Sequence, residues 1–219
     1  MKRICLLTIL FSFFHGQTLA FELFPMVQFL DDAGKGTTVF FKITNTSLAP
    51  LPVELIPIKR EVSLNNNETL SETDELMVFP PQVLIQPGKS QSIKVQYIGE
   101  PKLSAASYRL IASQLPLKNE SSNDSIQMLF RIGALIFVSP QDARADYSSH
   151  LTQGENDAAQ LTIRNEGTSV LELTKLSHEV TWHNQKMNWS WVELEPLLPM
   201  QYLVPNQSVV VNVQSLLVK

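Results

Sequence analysis

The chain has 219 residues, with 17 basic and 21 acidic side chains and a formal net charge of −4. That balance lacks the basic footprint of a nucleic-acid binder and offers nothing to anionic lipid. The single cysteine, Cys5, excludes an internal disulfide framework, so stability has to come from a buried apolar core.

Residues 1–20, "MKRICLLTILFSFFHGQTLA", have the order of a secretory signal peptide. Lys2 and Arg3 form the positive region, Ile4 to Phe14 the apolar one, and "TLA" a small-residue cleavage site, with cleavage expected after Ala20. The apolar run is too short to cross a bilayer, so membrane insertion is not expected. Cleavage would leave an exported, soluble chain with no cysteine and 15 basic against 21 acidic residues, a net charge of −6.

Downstream, no segment carries a sustained helical stripe. Short alternating runs recur between Pro, Asn and Gly punctuation, which predicts an all-β sandwich architecture. "TTVFFKITN", "LPVELIPIKREV", "SQSIKVQYI", "YRLIASQLP" and "MLFRIGALIFV" read as strands of the first half. "AAQLTIRN", "SVLELTKLSHEV", "WSWVEL" and "SVVVNVQSLLV" read as strands of the second.

The halves also match each other. Ile43 and Ile163 stand two residues before Asn45 and Asn165, and Pro87-Gly88 answers Pro205-Asn206. Ile93 and Val95 then fall at the offsets of Val211 and Val213. Two sets of equally spaced landmarks predict two copies of one sandwich plan. The joint is placed at "SPQDARADY", giving an N-terminal domain over 21–140 and a C-terminal domain over 141–219.

The segment "SIQMLFRIGALIFVSP", Ser125 to Pro140, is unusual. It reads as one strand of roughly fourteen residues, where about five or six is ordinary. Both faces are largely apolar, and Ile126, Met128, Phe130 and Ile132 form a continuous row on one of them. A lone exposed apolar edge of this kind is an aggregation hazard unless something covers it.

Taken together, "FPPQVLIQPGKSQSIKVQY", "YRLIASQLP" and "FRIGALIFVSP" resemble the periplasmic chaperones of the chaperone–usher pilus pathway, nearer the archaic and alternative branches than the best-known one. The resemblance covers essentially the whole exported chain. It implies two immunoglobulin-like sandwiches in a boomerang arrangement. It further implies that the last strand of the first domain completes an unfinished pilus or fimbrial subunit, by strand addition, for delivery to an outer-membrane usher. On this reading Ile126, Met128, Phe130 and Ile132 are the lent side chains, and no ATP, metal or other cofactor takes part. Self-association of the free chain stays open.

The best-known branch anchors the subunit's terminal carboxylate with an Arg in the first strand and a Lys late in the lent strand. Here "FELFPMVQFLDD" has no basic residue and Leu135 stands at the Lys position. The Tyr108-Arg109 pair matches the archaic and alternative pattern, so the resemblance assigns the anchor to Arg109, with Lys94 as a second candidate. A slip of one residue would turn every lent side chain away from its pocket, so such an anchor would set register.

Other constellations are thin. His150, His178 and His183 lack metal-ligand spacing, and no nucleophile elbow, His-Glu-x-x-His or phosphate loop occurs. "WSW" would place Trp189 and Trp191 on one strand face, where core packing is favoured over a sugar platform. Six Asn-x-Ser/Thr matches, including Asn45, are read as bearing no glycan. "LKNESSND", Leu117 to Asp124, reads as a polar loop before the long strand. The competing function is a structural or adhesive fibre subunit on the same fold.

Overall fold

A computed structural model describes residues 21–63, 66–117, 128–154, 158–183 and 185–217. The proposed leader and most of the expected polar loop lie outside the described residues, as does Ile126. No helix among the described residues is long and apolar enough to cross a membrane.

The first half folds as a two-sheet sandwich of the immunoglobulin-like kind. The strands β1 (Phe21–Phe24) and β2 (Val27–Asp31) belong to different sheets, with Pro25 between them. They are followed by β3 (Thr38–Asn45), β4 (Leu51–Val62), β5 (Glu68–Glu72), β6 (Leu76–Phe79), β7 (Gln82–Ile85) and β8 (Ser90–Tyr97). The last two are β9 (Ala106–Gln114) and β10 (Arg131–Ser139). One sheet has the order β1-β3-β8-β6 and the other β2-β10-β9-β4-β5, with β7 also on β4.

The period of two along each strand decides what the core contains. Phe41, Ile43, Ile93 and Val95 come from one sheet, and Val53, Leu55, Tyr108, Leu110, Ala134, Ile136 and Val138 from the other. The alternate residues of the second sheet, Ile56, Ile58, Arg60, Ser107, Arg109, Ile111 and Phe137, lie side by side on its outer face.

The second half comprises β11 (Tyr147–Gln153), β12 (Ala159–Asn165), β13 (Leu171–Glu172), β14 (Ser177–Trp182) and β15 (Gln185–Ser190). A short helix α1 (Trp191–Leu194), then β16 (Tyr202–Leu203), β17 (Ser208–Asn212) and α2 (Gln214–Leu217), complete it. Its ladders are β11-β12-β17, β13-β16 and β14-β15, around a separate core that includes Leu161, Ile163, Leu173, Trp189 and Leu203.

The expected "WSW" strand is not formed. Ser190 caps α1, its backbone N–H and hydroxyl both donating to the Glu193 carboxylate at 3.0 and 3.1 Å. Trp189 therefore lies one residue before the end of β15, inside the core, while Trp191 begins a helix. The Ser-x-x-Glu capping box explains the switch. The predicted strand over 169–180 is likewise broken, by a 3-10 turn at Leu173–Lys175.

The sequence repeat is a repeat of hydrogen bonds. Asn45 and Asn165 are both fully buried. The Asn45 amide donates to the carbonyls of Ala49 (2.8 Å) and Ile85 (2.9 Å), and the Asn165 amide to those of Ser169 (2.8 Å) and Leu203 (2.9 Å). The backbone N–H groups of Gly88 and Asn206 donate to the carbonyls of Asn45 and Asn165, each at 3.0 Å. Both turn residues have positive φ, +68° and +65°, which glycine and asparagine tolerate best. In each half one buried amide thus ties a strand end to the following turn and to a strand about forty residues on. A buried Asn45 so engaged has no side chain to offer a glycan.

Contacts that join the halves include an aromatic cluster and hydrogen bonds. Phe137 lies 5.4 Å from Phe29 and 5.3 Å from Tyr202, between ring centroids. The Ala105 N–H donates to the Thr168 carbonyl at 2.7 Å, and the Gln207 amide to Asn66 Oδ1 at 2.9 Å.

Candidate functional site

The strand β10 starts at Arg131, not near Ser125. Its shorter length follows from its neighbours. The last ladder bond to β9 joins the Gln114 N–H to the Phe130 carbonyl at 2.9 Å, and beyond it no described strand flanks the chain. A strand persists only while its backbone groups have partners.

The other flank of β10 changes character at Leu135. From Leu135 to Ser139 it pairs in parallel with β2, Val27 to Asp31. The Leu135 N–H donates to the Met26 carbonyl at 2.8 Å. Backbone groups alternate sides along a strand, so those of Arg131 and Gly133 point the same way as those of Leu135. No described strand pairs with that flank between Arg131 and Ala134.

Side chains along the strand grade from solvent to core. Met128 is 71% exposed, Phe130 and Ile132 are half-buried against the first core, and Ala134, Ile136 and Val138 are buried. Three of the four residues expected to be lent are therefore described, and all three are wholly or partly accessible beside an open backbone edge. Leu129, of the opposite parity, is 47% exposed.

Arg109 lies on the outer face of the same sheet, opposite Leu135 of β10 and Ile58 of β4. Its stem runs past Gly133, where an added Cβ would stand 3.9 Å from Arg109 Cδ and 3.0 Å from Ile111 Cδ1. Its guanidinium donates to Glu68 Oε2 at 2.6 Å. Glu68 Oε1 accepts from Arg60 Nε at 2.7 Å, and Arg60 Nη1 donates to Ser107 Oγ at 3.1 Å. One carboxylate thus bridges two guanidiniums. Arg60 and Glu68 escaped the sequence reading because the β4–β9 pairing brings Arg60 beside Arg109 and the β4–β5 hairpin register brings Glu68.

Lys94 is not part of this group. It lies in β8, in the other sheet, where its ammonium donates to Gln96 Oε1 at 2.8 Å between Phe40 and Phe79 of neighbouring strands. The two residues considered as anchors do not share a site.

A second polar cluster braces the first sandwich. The Glu75 carboxylate accepts from the Tyr108 hydroxyl at 2.8 Å and pairs with Lys102. Burial pushes the Glu75 carboxyl up, but its bonds from Lys102 and Tyr108 outweigh that and hold it below its ordinary range. Burial, then the neighbouring Glu75 carboxylate, push the Tyr108 phenol well up.

In the second half Ser149 Oγ sits 2.8 Å from His178 Nδ1. His178 is buried, its Nε2 has no hydrogen-bond partner, and burial lowers its pKa. Among the described residues no carboxylate hydrogen-bonds the ring to orient it, as a nucleophile-activating triad requires. Among the described residues no group of His, Cys, Asp and Glu has the arrangement of a metal site.

The first half is an immunoglobulin-like sandwich in which no described strand covers one flank of β10 between Arg131 and Ala134. The chain belongs to the family of pili and flagellar-assembly chaperones: the model of that family's PapD N-terminal domain matches residues 32–144, just over half of the chain. These are periplasmic assembly chaperones and not enzymes.

Solved structures agree on the fold. The class 5 fimbriae chaperone CfaA is similar with a TM-score of 0.61 at 16% identity, over 87% of this chain and 84% of that one. A chain of the CsuC–CsuE chaperone–tip adhesion subunit complex of Acinetobacter baumannii archaic Csu pili gives 0.55 at 18% identity, over 89% and 87%. The E. coli chaperone DraB gives 0.58 at 12% identity, over 89% and 85%. No curated protein matches the chain in sequence.

Proposed function

We propose that this chain is exported to the periplasm, holds one pilus or fimbrial subunit by lending it the open edge of β10, and passes it to an outer-membrane usher without a cofactor. The unpaired flank from Arg131 to Ala134, next to exposed Met128, is the observation that carries the reading. A subunit strand laid there would gain main-chain bonds at Arg131 and Gly133. Ile126, Met128, Phe130 and Ile132 would fill alternate pockets of the subunit. Complete burial of such a side chain contributes roughly 1.5–3 kcal/mol before ordering costs. Phe130 and Ile132 would give less, since their own core already covers part of them.

Arg109 is the anchor for the subunit's terminal carboxylate in this reading. From Leu135 onward β2 occupies the edge, so an added strand must end where Arg109 stands in register with Leu135. Lys94, on the other sheet, has no part in that contact.

The test is co-expression with a pilus subunit encoded beside the chaperone, followed by co-purification. Wild type should retain the subunit, and Met128→Asp should lose it while remaining folded. Equal yields from both would overturn the assignment of the edge.

A further inference from the structure

We propose that Arg60 and Arg109 together form a site for a peptide's C-terminal carboxylate, which the free chain keeps filled with its own Glu68. The inference rests on the subunit-binding reading for the identity of its ligand. Its geometry stands apart from that reading.

Three observations carry it. Glu68 engages both guanidiniums through different oxygens, Arg60 through Oε1 and Arg109 through Oε2, at 2.7 and 2.6 Å. This is how a carboxylate is held between two forks, and a terminal carboxylate has the same two oxygens and the same charge. The Arg60 side chain is only 12% exposed and is fixed by Ser107, so it is preorganised and has little other use for its charge. Arg109 ties the pair to β10, since its stem passes Gly133 where the open edge lies.

Glu68 is also on a movable kind of element. All five residues of β5 are exposed, and among the described strands β4 alone pairs with it. Its hairpin meets the second half through the Asn66–Gln207 bond. Glu68 can therefore leave without opening either core. An internal carboxylate keeps two adjacent guanidiniums from repelling each other and from capturing stray anions. An arriving terminal carboxylate displaces it more readily when the strand beside it is also paired, which links anchoring to correct register.

The competition lowers apparent affinity by the fraction of chains whose site is open. Removing the competitor should therefore strengthen binding of a free terminal carboxylate. The experiment uses the full exported chain, 15N-labelled, following the Arg60 and Arg109 side-chain N–H resonances during titration with N-acetyl-dialanine or its C-terminal amide at constant ionic strength. Binding of the free acid should tighten on the order of five-fold in Glu68→Gln relative to wild type. The amide should perturb neither protein, and Arg60→Gln added to Glu68→Gln should abolish the gain. Glu68→Ala serves as a second variant should Glu68→Gln fold poorly. Equal affinity in wild type and both Glu68 variants, no binding to either variant, or equal binding of the amide would each overturn the proposal. Failure of the wild-type chain to retain any co-expressed subunit would overturn the subunit-binding reading instead, whatever the peptide titration gives.

Discussion

The Leu135 N–H donates to the Met26 carbonyl at 2.8 Å, and that bond marks the point where β10 passes from a paired to an open edge. On one side of it the strand belongs wholly to its own sandwich. On the other side the same alternation of side chains continues with one flank free. Predictions for substitutions along β10 follow from which side of that bond they fall.

Ile136 is fully buried, so Ile136→Ala should destabilise the free chain by about 2–4 kcal/mol. Met128→Ala, at a site 71% exposed, should change stability by less than about 0.5 kcal/mol. Subunit retention should show the reverse sensitivity at Met128. Urea unfolding of both variants beside a co-purification assay checks the contrast. A large stability loss at Met128 would mean that its side chain serves the chain's own core.

Arg109→Ala removes a partly exposed ion pair, worth less than about 1 kcal/mol to the free chain. A charge-assisted bond to a subunit carboxylate is worth about 1.5–3 kcal/mol. Recovered complex should therefore fall about ten-fold or more while the thermal midpoint barely moves. An unchanged yield would place the anchor elsewhere.

Asn45→Ala and Asn165→Ala each remove two amide donors, one of them to the carbonyl of a buried residue, Ile85 or Leu203. Each loss should cost about 2–4 kcal/mol. Because the two amides sit in separate cores, the double variant should be additive within about 0.5 kcal/mol. Chemical denaturation of the three variants measures both quantities. A mild effect at either position would show that the repeated hydrogen bonds are dispensable there.

His178 gives the second half a pH dependence. Burial lowers its folded-state pKa below the ordinary 6.5, so the unfolded chain binds the proton more readily. Its contribution is complete above about pH 6.5 and is lost as the solution is acidified below that value, with a slope of at most about 1.4 kcal/mol per pH unit. Ser149 and Tyr147 contact the ring, and neither supplies a negative charge to offset protonation. Unfolding midpoints at pH 7.5 and 5.5 should converge in His178→Gln. An equal drop in wild type and variant would assign the dependence to other groups.

Much of this protein can be read from the one-dimensional pattern, because a strand's two faces are written into alternate residues. Leu51 to Val62 appears as a strand with the boundaries expected of it. The matched Asn45 and Asn165 landmarks correspond to matched hydrogen bonds, since a buried amide demands the same turn and the same distant strand each time. Local competition explains the misreadings. The Ser190–Glu193 capping box turned "WSW" into a strand end and a helix start.

What the sequence by itself determined is the alternation, the duplicated turns and an apolar segment with more surface than one small sandwich uses. Only the tertiary structure decided where that segment loses its partner, because pairing is a property of neighbouring strands and not of the strand. It also decided the company of Arg109. Arg60 reaches it through the β4–β9 pairing and Glu68 through the β4–β5 hairpin register, whereas Lys94, one sheet away, cannot.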